Sequence, residues 1–163
     1  MDLMPHGYTN HTTRSGSVVT KAYQGPDAIL RCDHASAPAL AHIPAASHSV
    51  VGVHGDYGPN NLLLDRDARA VTAVVDWEWA HAGDPVEDLA WCEWIVRMHH
   101  PRHAAALAEL FDAYGWEPAW SARQQAMLTQ CRSMLSLCER WEPGGPGSRQ
   151  WRHRLATTQS WTE

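Results

Sequence analysis

Between residues 50 and 91 the chain lays down three short apolar runs, VVGV, NLLL and VTAVV, separated by the polar stretches HGDYGPN and DRDARA. Runs of this length, rich in β-branched residues and bounded by turn formers, are strands rather than helices, so the segment must fold as a small β unit. Gly55, Gly58 and Pro59 allow a tight loop that brings Asp56 and Asn61 to one side of a short hairpin. The third run then delivers Asp76 at its end, and Glu78, two residues on, points to the same face of a continuing strand.

Beyond that unit the text turns helical. Asp84 has the character of an N-cap, Pro85 suits the first helical position and Glu87 the third, which predicts a helix over residues 85–97. Further helical patterns cover residues 102–114 and 119–141, and a last helix follows a breaker at 143–147. Upstream, residues 9–14 and 18–23 read as a hairpin about Ser15 and Gly16, with Lys21 inside the second strand. From Pro26 a helix begins that Pro38 ends or kinks. The expected class is α+β, with a small β lobe over residues 1–46 and a mainly helical lobe over 47–163.

A chain of 163 residues, 44% hydrophobic and 19% charged, buries a real core. Its formal net charge of -5 argues against nucleic acid as a partner, because a phosphate backbone selects clustered basic side chains. Lys21 is the only lysine among thirteen basic residues. Cys32, Cys92, Cys131 and Cys138 form no CxxC pair and read as buried thiols. With neither a signal-peptide pattern nor an apolar run long enough to cross a bilayer, a reducing, cytoplasmic setting away from membranes is expected. The sequence leaves the oligomeric state open.

Asp56, Asn61 and Asp76 are the chemistry-bearing set. Phosphoryl transfer asks little covalent help of a protein; it needs a proton acceptor beside the attacking hydroxyl and divalent cations on the phosphates. A loop aspartate suits the first task, and carboxamide and carboxylate oxygens are hard ligands suited to the second. Either loop or strand end alone is an ordinary surface feature; the two in this order are not.

HGDYGPNN followed by VVDWEWA and GDPVEDLAW resembles the catalytic lobe of the aminoglycoside phosphotransferase and choline kinase superfamily, small-molecule relatives of protein kinases. The resemblance implies a protein-kinase-like fold and ATP-dependent transfer to a small-molecule hydroxyl. It makes Asp56 the base, Asn61 and Asp76 the Mg2+ ligands, and His54, Asp84 and Asp88 the supports of the loop. Glu78 would assist metal or substrate, or else face solvent. Thr9 and Asn10 would lie in a reduced phosphate-covering loop, and Lys21 would hold the α- and β-phosphates of ATP or another nucleoside triphosphate.

The chain departs from that family in two respects. No glutamate precedes Glu78, so only Asp27 or Asp33 stands in for the usual partner of the strand lysine. Residues 22–53 number 32, whereas the helices, strands and hinge that a kinase places there need roughly 45 before loops. The catalytic lobe is thus expected to expose apolar surface at Trp91, Trp94 and residues 62–64. A catalytically inactive remnant serving as an interaction module is the competing reading. The HxD pair of His54 and Asp56 keeps a metal-dependent hydrolase as a lesser one. The MHHPRH run reads as a loop joining helices, and Trp141, Trp151 and Trp161 as packing residues.

Overall fold

A computed structural model describes residues 50–67 and 69–163, together with the backbone of three strands nearer the amino terminus. Those strands are β1 (Asp2–Leu3), β2 (Asn10–Ser15) and β3 (Val18–Tyr23), an antiparallel sheet in which Thr12 pairs with Lys21. Lys21 therefore lies in the second strand of the expected hairpin and Asn10 opens the first. Thr9, Cys32 and the run from Pro26 to Pro38 lie outside the described residues.

The apolar runs form two small antiparallel ribbons. β4 (Val51–Val53) pairs with β7 (His81–Gly83), and β5 (Leu62–Leu64) pairs with β6 (Val71–Val74), with Leu62 opposite Val74. Asn61 closes a 3-10 turn over Pro59–Asn61 rather than opening the strand.

The expected continuation of β6 to Glu78 does not occur. The chain reverses instead, with the Trp77 indole donating to Val74 O at 2.9 Å and Ala80 N to Trp77 O at 3.0 Å. Glu78 is consequently buried, at 3% exposure, and not on a solvent face.

Helix α1 (Val86–His99) starts at the expected cap: Asp84 accepts from Val86 N at 2.9 Å and Asp84 N donates to Glu87 at 2.8 Å. This reciprocal arrangement satisfies two amide donors that a helix start leaves open. Residues 89–95 of α1 are all buried, so the helix is enclosed rather than amphipathic. A 3-10 segment (Pro101–Ala106) leads to α2 (Leu107–Tyr114); α3 (Trp120–Trp141) and α4 (Pro146–Ser160) come after it. Pro146, expected in the breaker, opens α4, where its lack of an N–H costs nothing.

The core is where α1, α3 and α4 meet. Ala90, Trp91, Trp94 and Ile95 pack on Met127, Cys131 and Trp151. Trp91 stacks on Trp94 with centroids 4.4 Å apart and planes 5° from parallel, and Trp151 lies 5.6 Å from Trp94. The helical hairpin of α3 and α4 thus covers the two tryptophans, contrary to the expectation that a short amino-terminal region leaves them open. The expectation of bare surface holds instead at Leu63 and Leu64, each at least half exposed, while Leu62 is half-buried and Trp141 is 40% exposed rather than packed. Cys92 and Cys131 are buried free thiols, and burial, aided by Asp88 and Glu93, pushes the Cys92 thiol up to about 11.

A charged group sits in this interior. Arg123, 2% exposed, reaches Glu117 at 2.7 Å, Glu163 at 3.0 Å and the buried Glu93 at 3.5 Å, beneath the rings of Phe111 and Trp120. Burial raises the Glu93 carboxyl above its ordinary range, and the charges of Arg123 and Arg97 draw it back. Arg123→Ala leaves that buried carboxylate with Arg97 alone and is expected to cost about 3 kcal/mol in urea unfolding, whereas the double variant Arg123→Met with Glu93→Leu recovers most of the loss. Equal losses in both would contradict this account of the pair.

Candidate active site

The loop between β4 and the 3-10 turn is held from below by α1. The Asp88 carboxylate accepts from His54 N at 2.7 Å and Gly55 N at 2.9 Å, so one side chain satisfies two consecutive amides of the loop. Gly55 has φ 79° and backs onto Trp79, a position in which any side chain would be both strained and obstructed. Gly58 leaves room for the Ile95 side chain of α1. Gln130 of α3 donates to Gly55 O at 3.1 Å, adding a third tie between loop and helices.

His54 is 2% exposed and ties the loop to the strand end. Its Nε2 lies 2.9 Å from Val75 O, and its Nδ1 lies 3.2 Å from Asp56 N. A carbonyl accepts and an amide donates, so the ring is the neutral tautomer protonated on Nε2. Trp77 lies against it, centroids 4.6 Å apart.

Asp56 is the focus of the site. Trp91 Nε1 donates to Oδ1 at 2.7 Å, and Asn61 Nδ2 donates to Oδ2 at 3.0 Å and to Asp56 O at 2.7 Å. Asn61 in turn accepts on its main-chain oxygen from Val75 N at 2.9 Å. Asp76 comes directly after, with φ 73°, the one non-glycine residue at positive φ among the described residues. Aspartate tolerates this region better than most residues, but the conformation still costs about 1–3 kcal/mol, a cost common at functional sites.

Burial raises the Asp56 carboxyl above its ordinary range; the donors Trp91 and Asn61 lower it, and the nearby charge of Asp76 raises it again. A carboxyl with a raised folded-state pKa favours folding in its protonated form. That contribution is complete below the unfolded value near 3.9 and is lost as pH rises through the folded value.

The arrangement also suits a hard cation. Both Asn61 Nδ2 bonds go to acceptors of Asp56, so its carboxamide oxygen is the end left for a ligand, and Asp76 adds a carboxylate whose charge reaches Asp56. Asn61 and Asp76 would hold magnesium, with Asp56 beside them. Residues 16–125 match the profile of the phosphotransferase enzyme family designated APH.

The chain belongs to this family.

The family member is 33% identical over 79 residues to acyl-CoA dehydrogenase family member 11 of Rattus norvegicus, covering 47% of this chain and 10% of that protein. It is 30% identical over 98 residues to hygromycin-B 4-O-kinase of Escherichia coli, covering 58% of this chain and 25% of that one. It thus spans a quarter or less of the length of these curated relatives. No solved structure matches it.

The structure brings His54, Asp56, Asn61, Asp76 and Asp88 into one bonded and electrostatic set. Asp84 stays outside it, as the cap of α1. Glu78 is buried near the reversal after Asp76. Of Lys21 and Asn10 only the strand backbone is described. Trp91 is the contact that sequence reasoning misses; its place three residues after Asp88, on one face of α1, is the available signal.

Two outcomes test this geometry. Asp88→Ala removes two charge-assisted bonds and is expected to lower stability by about 3 kcal/mol in chemical unfolding. Asp76→Asn removes a repelling charge and is expected to lower the Asp56 midpoint in a carboxyl-carbon NMR titration; an unchanged or raised midpoint would refute the proximity of the two.

Proposed function

We propose that this member of the phosphotransferase family transfers the γ-phosphoryl group of ATP, or another nucleoside triphosphate, to a hydroxyl of a small molecule. The observation that carries the proposal is Asp56 itself. It is a largely buried carboxylate that accepts from Asn61 and Trp91, with its proton affinity raised by burial and by the charge of Asp76 nearby.

In this reading Asp56 accepts the proton of the attacking hydroxyl while that oxygen forms its bond to phosphorus and the nucleoside diphosphate leaves. Asn61 and Asp76 hold Mg2+, which when bound offsets the charge of the phosphates. Lys21, on β3, holds phosphate, and Thr9 and Asn10 cover it, Asn10 from the start of β2 rather than from the expected loop. His54, Asp84 and Asp88 fix the frame, and Glu78, from within the reversal, assists metal or substrate. Residues 1–46 form the reduced nucleotide lobe and 47–163 the catalytic lobe of a kinase-like architecture, acting in the cytoplasm.

Both ring nitrogens of His54 are engaged within the protein, which speaks against its serving as a ligand in a metal-dependent hydrolase. The inactive-remnant reading is favoured by the short run between Lys21 and His54. Calorimetry separates it from the proposal: the folded chain is expected to bind ATP with Mg2+ at millimolar concentration or better, and no heat of binding would sink the enzyme reading. Asp56→Asn should then reduce turnover by about a hundredfold or more with nucleotide affinity largely kept, since the base acts on the acceptor.

The acid limb supplies a further check. A base must be ionised to act, so kcat/KM should fall as the pH drops through the raised Asp56 value. That limb should move to lower pH in any variant that removes the charge of Asp76 while retaining activity.

A further inference from the structure

We propose that Trp91 is the positioning residue of the Asp56 base, its indole N–H setting the plane in which the carboxylate meets the acceptor hydroxyl. The assignment takes its catalytic meaning from the phosphotransferase reading above, but the contact can be tested without turnover.

An aspartate side chain ends in a broad, roughly two-fold torsion, so one hydrogen bond leaves the carboxylate plane poorly defined. Donors on both oxygens define it. Asn61 holds Oδ2 from the loop, and Trp91 holds Oδ1 at 2.7 Å from the interior, across 35 positions of sequence. An indole nitrogen only donates, so this contact has a single polarity whichever state the loop adopts.

The ring that carries the donor cannot readily turn. Trp91 is stacked 4.4 Å from Trp94 and 6.3 Å from Trp151, and Trp94 is pinned by donating to Thr158 at 2.8 Å. Thr158 also donates to Arg154 O at 2.8 Å, anchoring the stack to α4. The carboxyl-terminal helical hairpin thereby reaches the base through three aromatic rings, besides its direct tie from Gln130 to the loop.

The test compares Trp91→Phe with Trp94→Phe. Each keeps an aromatic ring in the stack and deletes one indole N–H, but only the first touches Asp56. With the Asp56 carboxyl carbon followed by NMR at a fixed pH, Trp91→Phe is expected to shift its resonance, and Trp94→Phe to leave it in place. An equal shift in both variants, or none in Trp91→Phe, would overturn the assignment.

If Trp91→Phe does not fold, Asp56→Asn decides the matter from the other side of the contact. The Trp91 indole proton resonance must move on that substitution while the Trp94 indole stays in place, and a Trp91 signal indifferent to it would overturn the proposal. In turnover, Trp91→Phe should lower kcat about tenfold to a hundredfold with little change in the nucleotide KM. A chain that shows the coupled resonance shifts but transfers no phosphoryl group would refute the phosphotransferase reading and leave the contact standing.

Discussion

The Asp88 carboxylate, accepting from the amides of His54 and Gly55, is the interaction on which the site depends. A loop that crosses a helical core must satisfy its own backbone groups, and unpaired buried amides cost about 1–3 kcal/mol each. Asp88 settles two of them from one side chain, one helical turn beyond the Asp84 cap. With those amides held, the His54 ring meets Val75 O and the Asp56 amide, and the loop and strand end become one unit. The chemistry-bearing residues are thus placed by a helix that contributes no base or cation ligand of its own.

That placement sets burial against charge. Enclosing Asp56 raises its proton affinity, which suits a base, yet each step of enclosure also disfavours the ionised form that the base requires. The bonds from Trp91 and Asn61 offset this, and both come from residues whose own orientation is fixed elsewhere: Trp91 by the stack with Trp94 and Trp151, Asn61 by Val75 N. Asp76 contributes a charge and a strained backbone at the same place. The site stores cost in three forms, and the tryptophan-rich helical core is the reservoir that sustains it.

Features governed by neighbours along the chain are legible in the sequence. The Asp84, Pro85 and Glu87 start of α1, the pairing of β5 with β6 and the amino-terminal hairpin all depend on local spacing, and all occur where expected. Features settled by tertiary contact are not legible there. The strand after Val74 ends because the Trp77 indole folds back to Val74 O, and this buries Glu78 instead of extending it along a strand. Trp91 and Trp94 read as uncovered surface because nothing local announces that α4 will cross them. Pro146 reads as a breaker because a proline that opens a helix and a proline in a loop have the same local conformation, and only the packing of α4 separates them. The five-residue group of His54, Asp56, Asn61, Asp76 and Asp88 can be marked on the sequence, but its bonding scheme, centred on Asp56 and reached by Trp91, depends on packing.

The central claim is that Asn61 and Asp76 act together as one divalent-cation site beside Asp56. Paramagnetic broadening by Mn2+ in the presence of nucleotide tests it most directly. The account predicts that the Asn61 side-chain amide and the Asp76 backbone amide broaden together at low Mn2+, and that Asp76→Ala abolishes both effects. Broadening centred elsewhere in the chain, or persisting at Asn61 in Asp76→Ala at the same Mn2+ concentration, would contradict it.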